Sequence, residues 1–201
     1  MWLTLRAMAL VGLVCVCGHA QTRTLAVYAE AGRALDADSI SSMRTEVQRL
    51  LAPAGLNVIW KKTSERRSGE DFELVVVASF HGTCSTGNVK AATGAASLAD
   101  TSISDGRILP FLRVDCSRVI HLLGDRAEAS DIGRALGRVI AHEIYHIVAN
   151  TTQHHDTGVA KATFSARDLM NPRFEFDAWS LARMQPASVA RVSGGAENTG
   201  R

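Results

Sequence analysis

One stretch of 20 residues, Ser130 to Ala149, constrains the fold of this chain more than any other. The apolar side chains of Ile132, Leu136, Val139, Ile140, Ile144 and Ile147 recur there at the spacing of one broad helical face. A helix with so wide an apolar face packs against a sheet or another helix. Within the same segment stands His142-Glu143-Ile144-Tyr145-His146. On a helical wheel Glu143 falls close to Leu136 and Val139 rather than on the polar face. An ionised carboxylate beside an apolar stripe is costly without a partner, so the fold has to supply one.

The pattern H-E-x-x-H offers that partner. Positions i and i+4 stack on one face of a helix, so His142 and His146 can reach a single ion. Zinc fits this donor set. It would bring the pKa of a bound water to about 7, and Glu143, next to the first ligand, would take the proton as that water attacks a carbonyl. The plainer alternative is a hydrogen-bonded helix face that holds no metal. Four of the seven histidines in the chain crowd into residues 139–156, which favours the metal.

The amino terminus places this chemistry outside the cytoplasm. Arg6, the apolar run Ala7 to Cys17 and the small-x-small site Gly18-His19-Ala20 have the three parts of a secretory signal. The run is shorter than the roughly 20 residues that span a bilayer, although an uncleaved anchor is the competing reading. Residues 1–20 are therefore expected to be removed, leaving a secreted or periplasmic chain with no membrane attachment. Removing them takes away one positive charge and no acid, so the formal net charge falls from +2 to +1. A nearly neutral chain gives no electrostatic case for binding nucleic acid or an anionic membrane. Cys84 and Cys116 remain after cleavage and read as one disulfide, with two buried thiols as the alternative.

The remaining residues suit a single domain, 21–192, followed by a disordered tail, 193–201. Residues 24–30, 56–62 and 72–80 read as strands, the last of them buried on both faces because of its run of valines. Asp38 to Ala52 reads as a helix, and residues 63–71 as a charged loop. Residues 81–106 lack a period and are expected to be loops that shape a cleft, with at most an edge strand near Ala95–Ala99. Residues 106–123 read as a further strand, where Pro110 argues for an edge or a bulge. Ser165-x-x-Asp168 caps a short turn, and Asp177 caps a final helix through Met184. The fold class is α+β, a mixed sheet backed by helices.

In these residues the chain resembles the metzincins, secreted zinc peptidases marked by H-E-x-x-H-x-x-G-x-x-H and a downstream methionine turn. Ala149 and Thr152 stand where that family has its glycine and third histidine, so the spacing to a third ligand is divergent. Asn150 is the residue best suited after glycine to end a helix in the left-handed conformation, so the chain can turn back one residue later. His154 is the preferred third zinc ligand, since it needs the smaller extension. His155, followed by Asp156 as in some metzincin subfamilies, is the alternative, with Asp156 itself or a gluzincin-like Glu175 behind. "DLMNP", residues 168–172, resembles the methionine turn, which implies Met170 as a floor beneath the metal. Pro172 leaves vacant the place of the tyrosine that some relatives use, and Tyr145 is expected to pack. The resemblance implies a monomeric zinc metallopeptidase acting on a peptide or protein, with Glu143 as catalytic base and His142, His146 and His154 as metal ligands. A non-catalytic relative that holds zinc or a partner peptide without turnover is the alternative.

Overall fold

The structure is a computed structural model that describes residues 22–29, 35–84 and 97–186. The expected signal, residues 1–20, and the expected tail, residues 193–201, lie outside the described residues. Strand β1 (Arg23–Ala29) leads to helix α1 (Ala37–Leu51), which Asp36 caps by accepting from the Ser39 amide at 2.7 Å. Gly55, in the left-handed region at φ 74°, turns the chain into β2 (Leu56–Lys61). Strands β3 (Leu74–His81), β4 (Ala99–Ser104) and β5 (Arg107–Asp115) follow. The described helices then run α2 (Cys116–Leu123), α3 (Ala129–Val148), α4 (Ala166–Met170) and α5 (Ala178–Met184).

The five strands form one sheet in the order β2-β1-β3-β5-β4, parallel except for β4, which runs antiparallel to β5 at the edge. The architecture is thus α+β, as the sequence predicts. The register places Leu25, Val27, Val76, Ala78, Leu112 and Val114 on one face, and all are buried. On that face α1 lies against β2, while α3 lies against β5 and β4.

Three sequence expectations are corrected. First, β3 is not buried on both faces: Val76 and Ala78 are buried, but Val75 before them is 38% exposed and Ser79 after them is exposed as well. The two long helices cover one side of the sheet, and the alternate side chains of β3 point away from them.

Second, residues 106–123 do not form one strand. The chain leaves β5 at Asp115, whose side chain accepts from the Arg118 amide at 3.1 Å and caps α2, and Val119 and Ile120 then bury one face of that helix. Pro110 sits where the β4–β5 register shifts, which is the bulge its missing amide calls for.

Third, residues 99–104 of the stretch expected to be loop form the edge strand β4; residues 85–96 of that stretch lie outside the described residues. Cys84 and Cys116 form a disulfide that ties the segment after β3 to the first residue of α2.

Helices α1 and α3 touch through glycines. A Cβ at Gly137 would lie 2.8 Å from the Met43 carbonyl oxygen, and one at Gly133 would press still closer on that of Ser39. Beside this contact Arg138 of α3 is buried and donates to Glu46 of α1 at 2.7 Å and to the Asp168 carbonyl at 2.9 Å. Burial pushes the Glu46 carboxyl up, but the Arg49 and Arg138 guanidiniums outweigh it and hold the group below its ordinary range.

Candidate metal centre

Helix α3 carries His142, Glu143 and His146 into the interior, each less than a tenth exposed. Its end is built to bring the chain back. Asn150 takes the left-handed conformation at φ 46°. The Asn150 amide donates to the Ile147 carbonyl at 3.3 Å, and the Thr151 amide to the His146 carbonyl at 3.1 Å. This pair of bonds is a Schellman motif, the ending the sequence suggested at Asn150. The returning segment is braced by the Tyr145 hydroxyl, which donates to the Gln153 carbonyl at 3.3 Å from a fully buried ring. Tyr145 therefore packs, as expected.

That return brings His154 to the two helical histidines. Ligand-capable atoms of His142, His146 and His154 all lie within 4.8 Å of one another, and His154 is the exposed member. His154 stacks on His142 at 5.2 Å between ring centroids and stands edge-on to His146 at 4.8 Å. His155 goes elsewhere. Its Nδ1 lies 2.9 Å from the Asp177 carboxylate, and its ring stacks on Trp179 at 5.0 Å. Glu175 pairs with Arg49 at 3.0 Å and stays away from the histidines, and Asp156 is exposed and no part of their cluster.

The ring nitrogens facing away from the cluster fix the tautomers. His142 Nδ1 lies 2.7 Å from the Val159 carbonyl oxygen, and His146 Nδ1 lies 2.7 Å from that of Thr151. A carbonyl oxygen only accepts, so both Nδ1 atoms carry their hydrogens and both Nε2 atoms present lone pairs. Those two Nε2 atoms stand 3.1 Å apart. Two facing lone pairs repel, and a cation between them removes the conflict. Zinc with tetrahedral Zn–N bonds of about 2.0–2.1 Å sets its nitrogens about 3.3 Å apart, which the His142–His146 pair matches, while His154, exposed and within 4.8 Å, would have to draw in to complete the set. Second-sphere carbonyls that orient ligating imidazoles are the usual support for such a centre.

The Val159 carbonyl is itself held in place. The Val159 amide donates to the Glu175 carbonyl at 3.0 Å, and Gly158 has φ 66° with no room for a Cβ against that same carbonyl. Burial pushes the His142 imidazole down to about 4 and holds His146 below its ordinary value as well. Burial raises the Glu143 carboxyl to about 7, while a hydrogen bond from Thr101 opposes the rise.

The cluster opens on a cleft of about 630 Å³ lined by β4, α2 and α3 together with the segments around His154 and Phe164. Phe164 stands edge-on to His142 at 5.3 Å and lines the cleft, where the methionine expected from the sequence does not appear. Met170 is instead 38% exposed, and Leu169 is the buried side chain of α4. The helical turn started by the Ser165–Asp168 capping box explains this, because neighbouring positions on a helix point about 100° apart and only one of the two can face inward. Sequence reasoning also missed Thr101, Phe164 and the α2 residues Arg118 and His121, which line the cleft. The segments around the first two carry no periodic signal, and α2 was hidden in a strand-like run. Compared with protein-family models and with curated protein sequences, the chain matches none.

Proposed function

We propose that this chain is an exported zinc-dependent peptidase, metzincin-like in the layout of its site, with His142, His146 and His154 as metal ligands. The observation that carries the reading is the pair of Nε2 atoms on His142 and His146, 3.1 Å apart beside a third imidazole, on rings whose Nδ1 atoms each face a main-chain carbonyl. Zinc there would act as a Lewis acid on water and on a carbonyl oxygen. Glu143 does the proton work: from its place one residue after His142 it takes a proton from the attacking water and returns it to the leaving amine. A carboxyl raised to about 7 by burial is matched to that exchange near neutral pH.

The substrate is a peptide or protein. Its place is supported by β4, which ends the sheet and lends Ala99, Asp100, Thr101 and Ile103 to the cleft wall, so that an extended chain can add along that strand. The Cys84–Cys116 disulfide agrees with an oxidising compartment and with the signal-like residues 1–20. Among the described residues no helix is long and apolar enough to cross a membrane.

Zinc analysis of residues 21–201 tests the reading. We expect about one zinc per chain, lost in His142→Ala and His154→Ala and kept in His155→Ala. Cleavage of a peptide library should fall at least about 100-fold in Glu143→Gln with zinc retained. A protein that takes up no zinc on reconstitution would overturn the proposal. So would cleavage that is indifferent to Glu143→Gln.

A further inference from the structure

The chemistry assigned to Glu143 leaves unexplained a hydroxyl that reaches it from the edge of the sheet. Thr101 Oγ1 donates to Glu143 Oε2 at 2.7 Å and also lies 3.3 Å from the main-chain carbonyl oxygen of the same residue. Thr101 stands opposite Leu112 in the β4–β5 ladder, at the last regular pair before the register shifts. Its Cα is thus set by the sheet, on the face that α3 covers, and its side chain is only partly buried at the cleft wall.

A carboxylate turns easily about its last torsion, which has no sharp staggered wells. Among the described residues Thr101 makes the one hydrogen bond to the Glu143 side chain. We infer that Thr101 is a positioning residue for the base: its hydroxyl commits Oε2 to the edge strand, fixes the carboxylate plane and presents Oε1 to the cleft. The catalytic side of this inference rests on the peptidase reading, but the orientation of the carboxylate does not. Because the strand that holds the carboxylate also walls the cleft, a substrate seated on β4 meets a base already aligned with it. Alignment of this kind has large leverage, since a displacement of about 1 Å at a reacting group can cost roughly 100-fold in rate.

The test compares Thr101→Val, which keeps the shape and removes the donor, with Thr101→Ser, which keeps the donor. In crystal structures of the wild type and both variants, we expect the Glu143 carboxylate to turn away from its wild-type plane in Thr101→Val and to keep it in Thr101→Ser. Against a cleaved peptide, Thr101→Val should lose about 10–100-fold in kcat with KM within about threefold and zinc content unchanged, and Thr101→Ser should stay within about threefold of wild type. An unturned carboxylate in Thr101→Val overturns the inference, and so does an unchanged kcat. Should Thr101→Val fail to fold, Thr101→Ala gives the same comparison. A wild-type protein that cleaves no peptide would overturn the peptidase reading, while the crystallographic comparison would still decide the role of Thr101.

Discussion

Glu143 occupies a position that opposes its own ionisation. It is 5% exposed, and burial raises its carboxyl from 4.5 to about 7. In the metal-free protein the folded state therefore holds a proton that the unfolded chain has released, and stability is lost as pH rises from about 4.5 through 7. His142 acts in the opposite sense: with its imidazole lowered from 6.5 to about 4, it withdraws stability as pH falls across that window. Comparing Glu143→Gln with wild type isolates the first effect. We expect the metal-free variant to be the more stable at pH 8, by on the order of 2–3 kcal/mol, with the difference vanishing near pH 4. Urea unfolding at the two pH values checks this. A variant no more stable than wild type at pH 8 would mean that the carboxylate is better solvated than its surroundings imply.

At the level of elements, the site depends on how closely α1 and α3 approach. Gly133 and Gly137 lie one helical turn apart on α3, and each faces a carbonyl of α1 with no space for a methyl group. On an exposed helix, Gly133→Ala would gain about 1 kcal/mol from helix propensity. Here the added methyl must force the helices apart, and overpacking of that kind costs about 1–3 kcal/mol. We expect a net loss, seen as a fall in Tm of roughly 2–8 °C; a rise would show that the helices separate freely. The buried Arg138 shares this seam, so the same movement would strain its bonds to Glu46 and to the Asp168 carbonyl. Both the seam and the histidines belong to α3, with Gly137 five residues and Gly133 nine residues before His142. Zinc affinity in Gly133→Ala should consequently weaken along with stability.

Across the molecule, the Cys84–Cys116 disulfide closes a loop with a sequence separation of 32 and anchors α2, whose Arg118 and His121 line the cleft. Replacing both cysteines by serine should cost about 3–4 kcal/mol in the chain-entropy model, checked by the denaturant midpoint. Zinc content should be unchanged in the folded fraction, because neither cysteine belongs to the histidine cluster. The features legible in the sequence are local ones. The apolar period of α3, the inward Glu143, the left-handed exit at Asn150 and the caps at Ser165 and Asp177 each follow from residues within a few positions of one another. Periodicity and capping are short-range physics, so a linear reading reaches them. Where it erred, it lacked distant neighbours. The helix in residues 116–123 and the one-sided burial of β3 depend on what packs beside them, and so does the choice of Leu169 over Met170. The site divides in the same way. The motif brings His142 and His146 together on one helix face wherever that helix forms. His154 and His155 are adjacent and chemically equal, and only the bracing by Tyr145 and the pull of Asp177 and Trp179 separate their directions. The Thr101–Glu143 bond spans 42 positions. No local pattern encodes such a contact, because it exists only once the sheet and α3 have packed together.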